Sequence, residues 1–240
     1  MKLAATDHGG SGTPFLLLHG LGGDRSAWDA LAPRLDGRAV AVDLRGHGES
    51  PDGEWDWDAV LDDLEDTAVH FGLDEPVVVG HSLGGVLAGM WAARHPGRPA
   101  VSLDGHRSAT THPANYAGLP AEEVEKGLAA LNALFDAQLE TVTRPSRSIT
   151  SALRTAPEFL DALPVFAAVR SPFLLVLATR NLPVPPELVP LMDAHRAGLR
   201  RDLPPNVRVH EIDATHGMVA ERPREVAAVV DHFVSNRFNA

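Results

Sequence analysis

The chain has 240 residues, 44% of them apolar, and carries a formal net charge of −11 from 32 acidic and 21 basic residues. This length fits one α/β domain with a full hydrophobic core. The acidic balance argues against a nucleic-acid partner, because binding a phosphate backbone requires a clustered Lys/Arg surface.

The chain contains no cysteine. This excludes disulfides, a cysteine nucleophile and thiolate metal sites. The N-terminal MKLAATDHGGSGTP lacks the apolar core of a signal peptide, and no run approaches the ~18 apolar residues of a membrane span. The sequence therefore predicts a soluble cytoplasmic protein that does not bind membranes, and it leaves the oligomeric state open.

Short apolar runs alternate with helical patterns, which is typical of a parallel sheet covered by helices on both faces. Seven strands are predicted, at Lys2–Asp7, Pro14–Leu18, Arg38–Asp43, Glu75–Gly80, Pro99–Asp104, Pro172–Ala178 and Asn206–Ile212. Four of them contain nearly continuous apolar runs, FLLL, AVAVD, PVVVG and FLLVLA, as strands buried on both faces do. Helices are predicted near Asp24–Leu35, Asp56–Phe71, Ser82–Arg94, Pro186–Leu203 and Pro223–Ser235.

One segment, residues 106–169, has no strand pattern. Apolar residues recur there at helical spacing across Ala121–Thr141, namely Val124, Leu128, Leu131, Phe135 and Leu139. About sixty residues is long for an ordinary crossover connection. We therefore interpret residues 106–169 as a helical cap inserted into a core formed by residues 1–105 and 170–240.

The strongest chemical motif is GHSLG at residues 80–84, between the strand PVVV and a helix rich in Ala and Gly. It matches G-x-S-x-G, in which a sharp strand-to-helix turn raises the serine hydroxyl above the sheet edge. Small flanking residues avoid clashes in such a turn, and the helix N-terminus favours developing negative charge. The motif predicts that Ser82 is a nucleophile, and the simpler alternative is a chance glycine turn.

A second motif, HGLGG at residues 19–23, directly follows the strand FLLL. Glycines let backbone N–H groups approach a substrate oxygen closely. We predict that the N–H groups of Leu21 and Leu83 form an oxyanion hole. No Gly-Lys-Ser/Thr follows the glycines, so the motif does not predict a phosphate-binding loop.

The predicted general base is His216, which lies between the last strand and the last helix. The carboxyl ends of parallel strands meet at one edge of a sheet, so a base on this loop can reach the serine. Other histidines are interpreted as structural (His47, His81) or as surface groups (His70, His95, His232). No His-Glu-x-x-His or similar ligand spacing occurs, so we predict neither a metal nor a cofactor.

These motifs resemble the α/β-hydrolase superfamily over nearly the full chain. HGLGG, DLRGHGES (residues 43–50), GHSLGG and DATHGMVAERP (residues 213–223) occur at positions familiar from that family. The resemblance implies an α/β-hydrolase fold with a mostly parallel sheet of about seven strands, the first of the common eight being absent, and a small helical cap. It also implies a Ser-His-acid triad.

The acid of the triad departs from the family pattern. The family usually places it after the strand that here reads FLLVLATRN, where this chain has the uncharged Asn181. Some family members carry the acid after the strand that follows the elbow helix, and here that residue is Asp104. We predict that Asp104 is the acid, the alternatives being a turn-forming role for it, Asp213, which is only three residues from His216, or Asp193, which would require its loop to fold back.

The motifs predict a serine hydrolase that cleaves an ester, lactone or thioester of a small-molecule substrate through an acyl-enzyme. Three alternatives stay open: carbon–carbon bond hydrolysis on the same triad, acyl transfer, and a non-enzymatic ligand-binding protein, which Asn181 alone favours. The substrate-binding residues are predicted with the reservation that each is an equal candidate for the core: Trp28, Leu134, Phe135, Phe166 and Met218.

Overall fold

The computed structural model describes residues 1–236 and contains one seven-stranded sheet. The strands are β1 (Ala5–Asp7), β2 (Thr13–Leu18), β3 (Gly37–Val42), β4 (Val77–His81), β5 (Ala100–Leu103), β6 (Phe173–Ala178) and β7 (Arg208–Ile212). Their order is β1-β3-β2-β4-β5-β6-β7; β1 is antiparallel to β3 and every other pairing is parallel. The predicted fold class, a mostly parallel sheet of seven strands flanked by helices, is confirmed.

Successive residues of the central strands face two different layers of core. In β2, Leu16 and Leu18 pack on one face of the sheet, whereas Phe15 and Leu17 pack on the other. Because both faces are covered, every residue of β6 is buried, which explains its unbroken apolar run. The edge strand β7 has the opposite character, since only Ile212 among its five residues is buried.

The helices are α1 (Trp57–His70), α2 (Leu83–Arg94), α3 (Ala121–Glu140), α4 (Arg147–Thr155), α5 (Pro157–Leu160), α6 (Leu163–Ala168), α7 (Val189–Asp202), α8 (Met218–Glu221) and α9 (Pro223–Ser235). Side chains of α1, α2 and α6 cover one face of the sheet. Side chains of α9 and of the segment after β2 cover the other face. Within residues 1–236, no helix combines the length and the apolar character needed to cross a bilayer.

The first predicted helix, Asp24–Leu35, is wrong as a continuous helix. The segment instead forms two short 3-10 helices, Arg25–Trp28 and Ala32–Arg34. Asp24 does cap the first, because its side chain accepts a hydrogen bond from the Ser26 N–H at 2.8 Å. Pro33 has no N–H to continue an α-helical ladder, which accounts for the break.

Residues 106–169 contain α3 to α6, and α3 occupies the stretch where the apolar spacing predicts a helix. Val124 and Leu131 of α3 pack with Leu191 and Met192 of α7 in a small core of their own. By contrast, α6 packs beneath the sheet, where Phe166 lies against Gly89 of α2.

The chain order reverses beside β2, because β3 pairs on one side of it and β4 on the other. In open α/β sheets, ligands bind outside the carboxyl ends of the strands at such a switch point. The loops that follow β2, β4, β5, β6 and β7 all leave the sheet at this edge.

Candidate active site

Ser82 connects β4 to α2 in a strained conformation, with φ 54° and ψ −116°. A non-glycine residue with positive φ is uncommon, and such strain is typical of functional sites. The turn is possible only because its neighbours lack side chains. A Cβ on Gly80 would lie 1.8 Å from the Gly84 carbonyl oxygen, and one on Gly84 would lie 2.2 Å from that of Leu18.

Two backbone amides near Ser82 are available to a ligand. Leu83 is the first residue of α2, so its N–H has no acceptor within the helix. Neither this amide nor that of Leu21 donates to another backbone group in residues 1–236. His19 fixes the loop of Leu21, since its Nδ1 donates to the Gly20 carbonyl at 2.8 Å while its Nε2 accepts from the Leu44 N–H at 3.0 Å.

Asp104 is the neighbour of Ser82 across the β4–β5 ladder. The Ser82 N–H donates to the Leu103 carbonyl at 3.0 Å, which continues the ladder past the end of β4. Asp104 also has a positive φ of 51°. Its Oδ2 lies 2.8 Å from Nδ1 of His216, so Nε2 is the ring nitrogen that stays free for Ser82.

The other carboxylate oxygen of Asp104, Oδ1, accepts two further hydrogen bonds, from the Ala178 N–H at 2.9 Å and from Nε2 of His106 at 3.2 Å. The shorter contact of His106 Nδ1, at 2.7 Å, is with the Arg107 N–H, and this contact favours the tautomer that carries the proton on Nε2. Burial alone would raise the pKa of Asp104, but His106 and His216 outweigh it and hold the pKa well below its ordinary value. Asp104 is therefore ionised at neutral pH.

His81 supports the loop that carries His216. Its Nε2 donates to the His216 carbonyl at 2.7 Å, and the two ring centroids lie 4.7 Å apart. Burial and the adjacent His216 ring lower the pKa of His81 to about 4. The ring is therefore neutral at neutral pH and adds no charge beside His216.

A cavity of about 760 Å³ opens at this sheet edge, and Ser82, Asp104, His216 and Leu21 all line it. Phe135 of α3 contributes to the opposite wall. Helix α3 and the loop after it therefore form the roof of the cavity. Val142 in that loop lies over Gly22, where a Cβ would be 3.3 Å from the valine Cγ1.

Four of the five predicted substrate-binding residues do not line this cavity, so these predictions are wrong. Trp28, Phe166 and Met218 are fully buried in the two cores that flank the sheet, where their large apolar side chains fill space between layers. Leu134 lies on the outer surface of α3 and is 44% exposed. Only Phe135 is in the cavity wall.

The other candidate acids do not contact the His216 ring. Asp193 instead accepts a hydrogen bond from Nδ2 of Asn181 at 2.9 Å, and Oδ1 of Asn181 accepts one from Arg196. Asp213 pairs with Arg180 at 3.3 Å. The sequence motifs do not point to His106, His195 or Arg196, all of which line the cavity. The signal for His106 is its position two residues after Asp104 at a strand end, whereas nothing in the sequence distinguishes Arg196 from other helical arginines.

The sequence and the structure of this chain were compared with those of known proteins. A model of the alpha/beta hydrolase family matches residues 15–229. The pimeloyl-(acyl-carrier protein) methyl ester esterase of Neisseria meningitidis serogroup C is 30% identical over 213 residues, which cover 77% of this chain and 81% of that protein. The protein of the same name from Chromobacterium violaceum is 46% identical over 90 residues, covering 36% of this chain and 34% of that protein.

In such short matches the chain spans only 25% to 34% of the length of the curated relatives. A solved structure extends the likeness to the whole fold. The enol-lactonase from Burkholderia xenovorans LB400 has a TM-score of 0.67 and 22% identity, covering 97% of this chain and 96% of that chain. At this identity the likeness concerns the fold alone.

Proposed function

The chain belongs to the alpha/beta hydrolase family, and we propose that it is a serine hydrolase that cleaves a carboxylic ester, lactone or thioester. One observation carries the proposal. Ser82, in its strained turn, lines the same cavity as His216, whose Nδ1 contacts the ionised Asp104. The esterase and lactonase names of the relatives support the same class of reaction.

In the proposed first step, the Ser82 hydroxyl oxygen attacks the substrate carbonyl carbon while its proton passes to Nε2 of His216. Asp104 keeps the Nδ1 proton in place and stabilises the imidazolium that forms. The tetrahedral intermediate then collapses. The bond to the leaving alcohol or thiol breaks, and that group takes the proton from His216.

In the second step, water attacks the acyl-enzyme and gives its proton to His216, which returns it to Ser82 as the acid product leaves. The Leu21 and Leu83 amides donate hydrogen bonds to the oxyanion in both steps. The helix N-terminus at Leu83 adds its positive potential at that point. One oxyanion-hole donor contributes about 10²–10³ to turnover in such sites.

We expect a fluorophosphonate probe to label the protein at Ser82, and p-nitrophenyl butyrate to be hydrolysed. Ser82→Ala removes only the reacting oxygen, so turnover should fall by about 10⁴-fold or more without a change in thermal unfolding. Both readouts, mass-spectrometric labelling and released p-nitrophenol, are measured on the same preparations.

Ser235→Ala is the matched control, because Ser235 is exposed at the end of α9, away from the cavity. It should keep both labelling and turnover. Labelling that persists in Ser82→Ala would contradict the proposal. Labelling at Ser82 without hydrolysis of any ester or thioester would favour carbon–carbon cleavage or acyl transfer instead.

A further inference from the structure

The cavity wall is rich in positive charge. Asp104 is its one acidic residue within the described part of the chain, whereas five arginines line it: Arg107, Arg154, Arg180, Arg196 and Arg200. The whole chain carries a net charge of −11, so its general field repels anions. The concentration of arginines at one cavity is therefore a local feature and not a consequence of composition.

Four of these arginines are neutralised by carboxylates. Each has a partner at salt-bridge distance: Arg107 with Asp161 and Asp202, Arg154 with Asp136, Arg180 with Glu221, and Arg200 with Glu211. Carboxylates of the protein itself therefore balance these four positive charges. These four arginines line the cavity as members of ion pairs.

Arg196 differs from the other four. Its guanidinium donates to the carbonyl of Ala178 and to Oδ1 of Asn181, both of which are neutral acceptors. Arg196 makes no ion pair with any residue in 1–236. A guanidinium has five N–H donors, so donors as well as charge are left for a ligand. An aspartate in place of Asn181 would give the positive charge of Arg196 a negatively charged partner.

The unbalanced charge lies next to the proposed reacting groups. Arg196 binds the carbonyl of Ala178, the last residue of β6, and the N–H of the same residue binds Asp104. The neighbouring residue His195 also lines the cavity, is only 6% exposed, and has an Nε2 atom without a hydrogen-bond partner in residues 1–236. One wall of the cavity thus offers a guanidinium without a direct ion-pair partner and a polar atom without a hydrogen-bond partner in residues 1–236.

We propose that Arg196 binds a carboxylate of the substrate, so that the enzyme acts on esters, lactones or thioesters that carry a second, anionic group. This inference rests on the proposed function for the reaction, but the binding step is separate from it. A guanidinium and a carboxylate form paired charge-assisted hydrogen bonds, about twice as strong as neutral ones. Half-burial of Arg196 strengthens the attraction further, because screening by solvent is weaker there.

The test measures binding in a Ser82→Ala background, where the cavity is intact and no turnover occurs. Monomethyl glutarate is the anionic probe, and methyl valerate is a neutral probe of similar length. Calorimetric titration should show that Arg196→Gln raises the Kd for monomethyl glutarate at least 10-fold and leaves the Kd for methyl valerate within 2-fold. Added salt should weaken binding of the anionic probe only.

Two further variants separate a binding role from a structural one. Asn181→Asp leaves Arg196 in place but gives it a carboxylate partner, so it should also weaken binding of monomethyl glutarate. Arg208→Gln makes the same change of net charge at an exposed residue outside the cavity and should have no effect. Thermal unfolding of each variant checks the fold.

The inference is wrong if Arg196→Gln changes the Kd of both probes by the same factor or of neither. It is also wrong if the Ser82→Ala protein with Arg196 intact fails to bind monomethyl glutarate at 10 mM, a concentration well above typical substrate affinities of about 1 μM–1 mM. The proposed function fails on a different result, labelling or turnover that does not depend on Ser82. The two failures are therefore distinguishable.

Discussion

Three donors converge on the two oxygens of Asp104: Nδ1 of His216, Nε2 of His106 and the N–H of Ala178. These hydrogen bonds hold the carboxylate in one orientation, and those from His106 and His216 favour its ionised form. His106 acts here through Asp104, and we regard it as a positioning residue.

Asp104→Asn should lower kcat for a small neutral ester by about 10⁴-fold. The amide keeps the shape of the carboxylate but places an NH₂ donor against rings that are themselves donors, so His216 takes the wrong tautomer. Thermal unfolding and the distances around His216 should change little. Turnover of p-nitrophenyl butyrate by the purified variant is the measurement.

Asn181→Asp is the matched control for this prediction, because it adds a carboxylate at the strand end where the family usually has one. It should leave turnover of the neutral ester within about 3-fold, since Asn181 is bonded to Asp193 and Arg196 and not to His216. If Asp104→Asn kept most of its activity, another residue would be the acid.

For individual residues, the sequence could rank the candidate acids but could not identify their contacts. Motif order places Ser82, Asp104 and His216 at one sheet edge, because parallel strands end together. What the sequence does not contain is the side-chain packing that turns Asn181 toward Arg196. The catalytic roles of these residues stay predictions until they are tested.

Helix α3 contributes Phe135, Gln138 and Leu139 to the cavity wall. Its neighbouring residues Leu134 and Phe135 point in different directions, the first to solvent and the second into the cavity wall. Arg154 of α4 holds the helix in place through Asn132, at 2.7 Å, and through an ion pair with Asp136. The helix thus contacts both α4 and α7.

Phe135→Ala should alter preference among acyl chains more than it alters activity on the smallest ester. Removing the ring takes apolar surface from the wall, and each buried CH₂ of a substrate contributes about 0.8 kcal/mol. We expect the ratio of kcat/KM for p-nitrophenyl octanoate to that for the acetate to fall 5- to 20-fold. Leu134→Ala, its exposed neighbour, should leave the ratio unchanged, and an equal loss on both esters would make the role of Phe135 structural.

The elements themselves are predictable to different degrees. The strands are predictable because burial on both faces requires nearly continuous apolar runs. Apolar residues of helices and loops carry no such information, since the same residue type suits a core and a cavity wall equally. By sequence, Trp28, Phe166 and Met218 therefore suit a core and a cavity wall equally, and only the packing around each distinguishes them from Phe135.

Across the whole molecule, burial keeps several histidines neutral. His47 is fully buried beside His19 and His195 lies beneath the cavity, and each has an Nε2 atom without a partner in residues 1–236. Burial, assisted by neighbouring positive groups, lowers the pKa of each from 6.5 to about 4. The folded protein therefore binds fewer protons than the unfolded chain between these two pH values.

The free energy of unfolding should fall as the pH falls from about 6.5 to about 4, by up to about 1.4 kcal/mol per pH unit for each of the two histidines. Above this range both rings are neutral in the folded and in the unfolded protein. They then contribute nothing to the dependence of the free energy of unfolding on pH. Urea denaturation at half-unit pH intervals measures the slope. His47→Gln and His195→Gln should each reduce it, and a slope that is unchanged in both variants would contradict the assignment.

Because Asp104 follows β5, the loop after β6 has no part in the proposed reaction, although it lines the same cavity at residues 180–183. A loop that carries a reacting group must hold that group within about 0.5 Å of its working position. Leu182 and Pro183 are free of this demand, whereas Arg180 contacts Ala214, Asp213 and Glu221 beside His216. A library randomised over Leu182 and Pro183 is thus a route by which single substitutions change what the enzyme accepts while its rate of bond cleavage is retained.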